Sequence, residues 1–535
     1  MGDPQVTVVI PVYNAAACLD ECLRSIVGQT IGLDHLEVVA VDDGSTDGSS
    51  EKLNGWAATF PNIRVIHQPN SGAPGAPRNR GVALARGEYL FFADADDYLG
   101  VEALERMLAV ARRNDSDIVL GRIRGVHRTA ATRPFRRSVE HGDVVSTDAV
   151  WSLTAHKLIR RSLIVENGLR FAEGVRLAEE LSLIVPAYFL ARTISVVADY
   201  DCYHLMLRDH GSHLTRQPAD PATFFPVVRF AVETVVANTA PGAVRDGLLR
   251  RLAQVEIAGK FGRWFAGLPA EVREEYVKRS AEILDDLIPA EVFDPLTPLE
   301  RIRGALIRRR RTAELVALSE YERSGARPAA VVDGGRAYTA YPFFRDPGPG
   351  VPDGCYDISG VLTLDYCRVR VVCRRGLLRV SWDAIVPALG APDVSWSLVL
   401  RRDDGRELVV PARRTDTGAD VEVTLAAADG GRPLPDGRWT AITAVRAGNE
   451  HRRLAIGEND TLDDSSDLRP TRRGRPRVRP GSDDAGRLVL AVGRAAGADD
   501  RGAAQRVGRR SLRLVARASA VARGAVHRIR LRHAG

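Results

Sequence analysis

At 535 residues the chain is long enough for two to four domains, and its apolar and charged fractions are those of an ordinary globular protein. No run reaches the roughly 18 apolar residues of a helical membrane span, and the opening MGDPQVTVVIPVYN has neither the basic nor the apolar part of a leader, so a cytoplasmic protein is expected. The net charge of +7 is modest and Arg-dominated, and the six cysteines show no paired spacing that calls for a disulfide framework or a zinc site.

The predicted elements begin with Val6-Thr7-Val8-Val9-Ile10, a continuous apolar strand of the kind buried on both faces of a parallel sheet. Pro11-Val12-Tyr13-Asn14 ends it, and a helix follows over Ala16 to Gly28. Leu36 to Val41 is a second strand running into the polar turn Asp42-Asp43-Gly44-Ser45. Ile63 to Ile66 is a third. Asn70-Ser71-Gly72 then leads through Arg78-Asn79 into a helix around Gly81 to Arg86. Tyr89-Leu90-Phe91-Phe92 is the fourth strand, and it breaks into Asp94, Asp96 and Asp97. Three carboxylates at the end of an apolar strand repel one another unless a cation sits among them. An acidic, solvated turn capping the next helix, Val101 to Asn114, is the plainer alternative.

Strands alternating with helices predict an α/β fold with a parallel sheet and a ligand crevice at the carboxyl ends of the strands. The polar clusters at Pro11/Tyr13, Asp42/Asp43, Asn70/Arg78 and Asp94/Asp96 each stand just past such an end. Together they offer an aromatic ring, an acid for a ring N–H, a cation for phosphates and carboxylates for a metal. That set suits a nucleotide diphosphate.

VTVVIPVYNAAACLDECLRSIVGQT, VVAVDDGSTDGS, NSGAPGAPRNRG and GEYLFFADADDYL, in this order, resemble the successive motifs of family 2 glycosyltransferases. The resemblance covers about residues 5 to 215. It implies a GT-A fold and an inverting enzyme that uses a UDP-sugar with Mn²⁺ or Mg²⁺. By that resemblance Pro11 and Tyr13 lie at the base and Asp43 contacts the uracil. Asn70 and Arg78 belong to the donor site, Asp96 is the metal ligand, and Asp94 stands nearer the ribose and sugar as a second ligand. Ala155-His156-Lys157-Leu158-Ile159-Arg160-Arg161-Ser162-Leu163 resembles the family's K-L-[YF]-R-R-S-L segment, which puts Lys157 on the acceptor side. Leu177-Ala178-Glu179-Glu180-Leu181 stands where the family commonly has G-E-D. The base role then falls on Glu180, with Glu179 orienting the loop; Ala178 and Glu180 replace the family's Gly and Asp. Either carboxylate can take a hydroxyl proton, and an acidic first helical turn is the bland alternative. Arg208 and His213 lie in a segment that resembles the family's loop over the departing diphosphate.

From Pro221 the pattern turns helical, with apolar residues at Phe225, Val228, Ala231, Val232 and Val235. The run Arg308-Arg309-Arg310-Arg311 closes it. Gly325 to Pro352 reads as a Gly/Pro linker. About seven short strands, the first over Tyr356 to Tyr366, with turns such as Asp403-Asp404-Gly405 follow, and they predict a β-sandwich. Beyond Glu458 the chain reads as polar and disorder-like, apart from a strand around Arg487 to Val492. The last segment, from Ser511, alternates arginines with apolar residues: an amphipathic helix on an anionic membrane or a solvated tail. It lacks the aromatics and motifs of nucleic-acid binding.

The expected organisation is therefore a GT-A catalytic domain over 1–220, a helical spacer over 221–324, a β-sandwich over 336–457 and an Arg-rich tail over 458–535. The layout resembles transferases that decorate wall teichoic acid or build capsule. It implies a hexosyl or N-acetylhexosaminyl group delivered to a polyol-phosphate or glycan acceptor. The sandwich is expected to recruit polymer or a second copy of the chain. A non-catalytic scaffold that binds nucleotide sugar or polymer is the alternative, since Glu180 departs from the family's Asp.

Overall fold

The computed structural model describes residues 3–207, 218–326, 328–333, 336–359, 365–374, 377–385, 394–414, 418–424, 428–429, 432, 434–447, 450–455, 477–482 and 488–493. The chain divides into two compact units. One is Met1–Arg327 with Tyr341–Tyr356, and the other is Pro328–Ala340 with Asp357–Gly535.

In the first unit the strands β1 (Val6–Val12), β2 (Leu36–Asp42), β3 (Ile63–His67) and β4 (Tyr89–Phe92) alternate with the helices α1 (Leu19–Val27), α2 (Ser49–Thr59) and α3 (Gly75–Leu84). These four strands are parallel neighbours in the order β3-β2-β1-β4. After β1 the chain fills one side with β2 and β3, then crosses to the other for β4. That reversal opens a crevice at the carboxyl ends of β1 and β4, where ligands bind in such sheets. Every residue of β2 and β4 is buried, as the unbroken apolar runs required.

The sheet extends beyond these four strands. It continues with β5 (Tyr98–Leu99), β6 (Ile118–Val126), β7 (Val139–Gly142), β8 (Leu158–Arg160) and β9 (Ile194–Met206). The strand that the sequence shows over Asp199 to His204 lies within β9. The order beyond β4 is β8-β6-β9-β5, with β7 on β9. β8 is antiparallel to both β4 and β6. Three residues are too few to show a period, which is why β8 was not foreseen. Helices α4 (Ala103–Arg113), α5 (Arg161–Glu166) and α6 (Leu181–Leu190) complete this layer.

The helical spacer is present as α7 (Pro221–Asn238), α8 (Ala243–Leu252), α9 (Ala270–Leu287), α10 (Pro298–Arg308) and α11 (Thr312–Ser324). Its arginine run is structural in part: Arg308 donates to the carbonyls of Leu284 and Ile288 at the end of α9, and Arg310 pairs with Asp285.

The second unit begins inside the expected linker, with the hairpin β10 (Ala329–Asp333) and β11 (Arg336–Ala340). It continues as antiparallel strands: β12 (Asp365–Arg374), β13 (Leu377–Ile385), β14 (Val394–Arg402), β15 (Glu407–Arg414), β16 (Gly418–Thr424), β17 (Gly437–Ala447), β18 (Glu450–Ala455), β19 (Arg477–Ser482) and β20 (Leu488–Gly493). The order is β12-β13-β16-β15-β14-β17-β20-β19, with β18 on β17. Two expectations are corrected. Tyr356 ends a short helical turn, Asp353–Tyr356, and does not start a strand. Arg477–Ser482, read as disorder-like, is a strand paired with β20. Its polar sequence hid a ladder that only a distant partner supplies. The arginine-rich end from Ser511 lies outside the described residues.

Candidate active site

The site is built where α3 meets the ends of β2 and β4 and the turn before α6. α3 starts beside that turn. A Cβ on Gly75 would stand 2.1 Å from the Ala172 carbonyl oxygen, so only glycine permits the approach. Asn79 then clamps Phe171. Its amide donates to the Phe171 carbonyl at 2.9 Å and its oxygen accepts the Phe171 N–H at 2.9 Å. The Phe171 ring packs edge-on against Phe92 of β4.

Arg78 is the hub of the charges. It is 3% exposed, and its guanidinium lies against the Phe171 ring at 5.3 Å. One terminal nitrogen donates to Asp94 Oδ1 at 2.8 Å and the other to Glu179 Oε1 at 2.5 Å. The residue expected to reach the diphosphate thus spends both terminal nitrogens on two carboxylates, one from the β4 end and one from the turn before α6. Burial by itself would raise the Asp94 carboxyl, but Arg78 and His156 outweigh it and hold it far below the usual carboxylate range.

His156 Nε2 donates to Asp94 Oδ2 at 3.1 Å, and the ring stacks on Tyr203 at 4.2 Å. The Tyr203 hydroxyl accepts the Asp94 N–H at 2.9 Å, and Asp97 accepts the Met206 N–H at 2.7 Å. One ligand atom from each of Asp94, Asp97 and His156 falls within 4.8 Å of the others. Burial, with Asp94 and Asp96 close by, pushes the Asp97 carboxyl up to about 8. Two carboxylates and an imidazole that converge in this way fit a divalent cation. The sequence had named Asp96 and Asp94 as the ligands. Asp94 is in the group that converges, Asp96 is outside it, and Asp97 and His156 take part. His156 was visible as the residue before Lys157, but nothing in the sequence tied it to an acid 62 positions away.

Glu180 stands half-buried at the start of α6, and its side chain makes no capping hydrogen bond there. Burial and then Glu179 push its carboxyl up to about 7, against the pull of Arg78. Burial likewise raises Glu179, though Arg78 opposes it. The residue before them, Ala178, has φ +68°. That is the left-handed region where an L side chain costs about 1–2 kcal/mol and glycine costs nothing. The Gly-to-Ala departure seen in the sequence therefore falls on a position whose backbone favours glycine.

Asp43 is buried at the end of β2, and its carboxylate accepts from Gln68 Nε2 at 2.7 Å, Ser71 N at 3.1 Å and Ser71 Oγ at 2.9 Å. It thereby ties down the loop of Asn70, whose own side chain closes a turn onto Gly72 N at 2.6 Å. Pro11 lies in β1, and Tyr13 is exposed just beyond it, 53% accessible. Lys157, expected to face the acceptor, is fully buried instead. Its ammonium donates to the Thr154 carbonyl, and burial lowers it to about 7. Arg208 and His213 lie outside the described residues.

The family model described as Glycosyl transferase family 2 matches residues 7–167. The chain carries a family 2 glycosyltransferase domain. The family model described as Glycosyl transferase TarS linker domain matches residues 221–319, the helical spacer. The poly(ribitol-phosphate) beta-glucosyltransferase of Bacillus spizizenii is 38% identical over 236 residues, which is 44% of this chain and 37% of that protein. The chain spans less than half the length of the first curated relatives it matches. The crystal structure of S. aureus TarS superposes with a TM-score of 0.66 at 20% identity, covering 92% of this chain and 86% of that one. S. aureus TarS 1–349 in complex with UDP-GlcNAc gives a TM-score of 0.56 at 24% identity over 65% of this chain and 98% of that one. These likenesses establish the GT-A-like fold of the glycosyltransferase domain, the helical spacer and the antiparallel sheet that follows it. No helix among the described residues is long and apolar enough to cross a membrane.

Proposed function

We propose that the chain is an inverting glycosyltransferase that moves a hexosyl or N-acetylhexosaminyl group from a UDP-sugar to a hydroxyl of a polyol-phosphate cell-wall polymer. The observation that carries this reading is the Arg78 bridge between Asp94 and Glu179. It joins the carboxylates of the donor motif to the loop of the base in one buried set of charges. The names of the relatives, poly(ribitol-phosphate) transferases among them, support the acceptor class.

Asp43 and Tyr13 hold the base end of the donor. Asp94, Asp97 and His156 are the residues that would hold Mn²⁺ or Mg²⁺, with Asp96 beside them, and imidazole among the donors favours Mn²⁺. A cation held there supplies positive charge against the departing diphosphate. Glu180 takes the acceptor hydroxyl's proton as its oxygen bonds to the anomeric carbon. The bond to the diphosphate oxygen breaks, and its electron pair leaves with UDP. One displacement turns an α-linked donor into a β-glycoside. A carboxyl near 7 is a better base at neutral pH than an ordinary glutamate. Arg78 keeps Glu179 and Asp94 in place. The C-terminal sheet is read as the polymer-recruiting or self-associating module, and a cytoplasmic chain at the inner face of the membrane fits this acceptor.

The test is a donor and acceptor screen with the purified chain: Mn²⁺, UDP-, GDP- and dTDP-sugars, and poly(ribitol phosphate), reading UDP release and sugar incorporation. Incorporation from a UDP-sugar that EDTA abolishes is expected. Tight UDP-sugar binding with no transfer to any acceptor would favour a non-catalytic binder.

A further inference from the structure

A cavity of about 290 Å³ opens beside the base loop. One wall is Gly174 to Leu177, the turn that runs into Ala178, Glu179 and Glu180. The other is Pro218 to Asp220 with Thr223 and Phe224 of α7. The turn is bracketed by two left-handed residues, Gly174 at φ +71° and Ala178 at φ +68°. Glycine takes this conformation freely, whereas an alanine there persists only where the surroundings hold it. None of Tyr13, Asp43, Arg78 and Asp94 lines this cavity, so it is separate from the donor crevice yet contiguous in sequence with the base.

Its polar groups form an unusual set. Arg176 is exposed and uses Nε on the Gly72 carbonyl at 3.3 Å. Among the described residues no carboxylate pairs with it. The N-terminus of α7 offers nothing to an anion, because Asp220 already caps it: its carboxylate accepts from Ala222 N at 3.2 Å and from Thr223 Oγ1 at 3.2 Å. The cavity floor is apolar, with Val175 and Phe224 buried. A lone guanidinium calls for an anionic oxygen. Asp220 is exposed, and beyond the cap its carboxylate oxygens and the Thr223 Oγ1 keep lone pairs that can accept from ligand hydroxyls. One ligand class carries both, a polyol phosphate.

Resting on the transferase reading above, we propose that this cavity is the acceptor subsite. Arg176 takes a phosphodiester oxygen of the polymer, Asp220 and Thr223 take hydroxyls of one polyol unit, and a neighbouring hydroxyl reaches Glu180. The subsite thereby selects a polyol-phosphate chain over a neutral glycan.

The full-length chain is titrated with ribitol 5-phosphate, ribitol and inorganic phosphate by ligand-observed NMR, and separately with UDP. Ribitol 5-phosphate should bind better than either fragment. Arg176→Ala should weaken it about ten-fold, the usual worth of a bond to a charged group. Thr223→Phe, which fills the cavity, should weaken ribitol 5-phosphate and ribitol together, with UDP affinity held within about two-fold for both variants. In turnover both variants should raise the acceptor KM and not the donor KM. The proposal is overturned if ribitol 5-phosphate does not bind, or if its affinity survives both substitutions. It is also overturned if UDP affinity falls in parallel, which would mark Arg176 as a support for the Gly72 loop. Inorganic phosphate binding as well as ribitol 5-phosphate, indifferent to Thr223→Phe, would reduce the site to a surface cation and overturn it too. Polyol phosphate bound at this cavity by a chain that transfers no sugar would leave the subsite standing and sink the transferase reading instead.

Discussion

Charge is used in opposite ways at the candidate active site and in the C-terminal sheet. At the site Arg78 is 3% exposed and Glu179 5%, and the pair joins residues 101 positions apart. In the sheet Arg413 is 80% exposed and Arg379 60%, and their partners Asp420 and Glu422 face them from β16. Arg413 and Asp420 are a register pair of β15 and β16, and Arg379 and Glu422 of β13 and β16. The sheet's pairs follow from strand register and stay in water, where they contribute little. The site's charges come from remote segments and are held out of water. There both carboxylates share one guanidinium, with His156 also on Asp94, and losing that guanidinium is costly. Preorganised charge of the second kind is what a displacement reaction needs; charge of the first kind keeps a sheet face in water.

The sharpest break of this contrast is at Glu180. Glu180→Gln should leave UDP binding within a few-fold and reduce transfer by roughly 10²–10⁴-fold, the range of a positioned general base. Transfer surviving intact would move the base to Glu179, whose glutamine variant is the matching control. Next in size is Arg78→Met, which strands Asp94 and Glu179 together. Chemical denaturation should show a loss of about 3–5 kcal/mol, as for one half of a buried pair. A loss no larger than that of a surface arginine would mean that the bridge is not holding the loops.

The pH response separates the two regions by sign. The Glu180 carboxyl is raised from 4.5 to about 7 in the fold. Its contribution to stability is fully present below 4.5 and is lost as pH rises to 7. With Glu180 as the proposed base, transfer requires its carboxylate, and activity should climb over the same interval in which stability falls. Glu180→Gln should flatten that part of the stability curve. Asp420 runs the other way. It is lowered by Arg413, so its contribution is present above 3.8 and lost in acid. Denaturation midpoints at pH 5 and pH 8, with and without Glu180→Gln, check the sign.

Smaller effects finish the series. Ala178→Gly relieves a left-handed alanine and should stabilise by about 1 kcal/mol or less, since glycine gives back part of the gain as chain entropy. A loss of transfer in this variant would show that the strained turn sets the position of Glu180. Arg413→Ala should leave the melting temperature within about 1 °C and transfer unchanged.

The four parallel strands, the polar groups at their carboxyl ends and the acids Asp43, Asp94, Glu179 and Glu180 were legible in the sequence. Buried parallel strands read as unbroken apolar runs, and the motifs between them are local. The helical spacer was legible for the same reason, through its 3.6-residue period. What the tertiary structure decided is which charges meet. Arg78 has no sequence signal that sends it to Glu179 in place of a phosphate, and Lys157 none that buries its ammonium. His156 meets Asp94 only because β8 slides in beside β4, a three-residue pairing that leaves no periodic trace. A side chain's partners are set by long-range contacts, and those are absent from any local pattern; the strained φ of Ala178 and the strand at Arg477–Ser482 were hidden for that same physical reason.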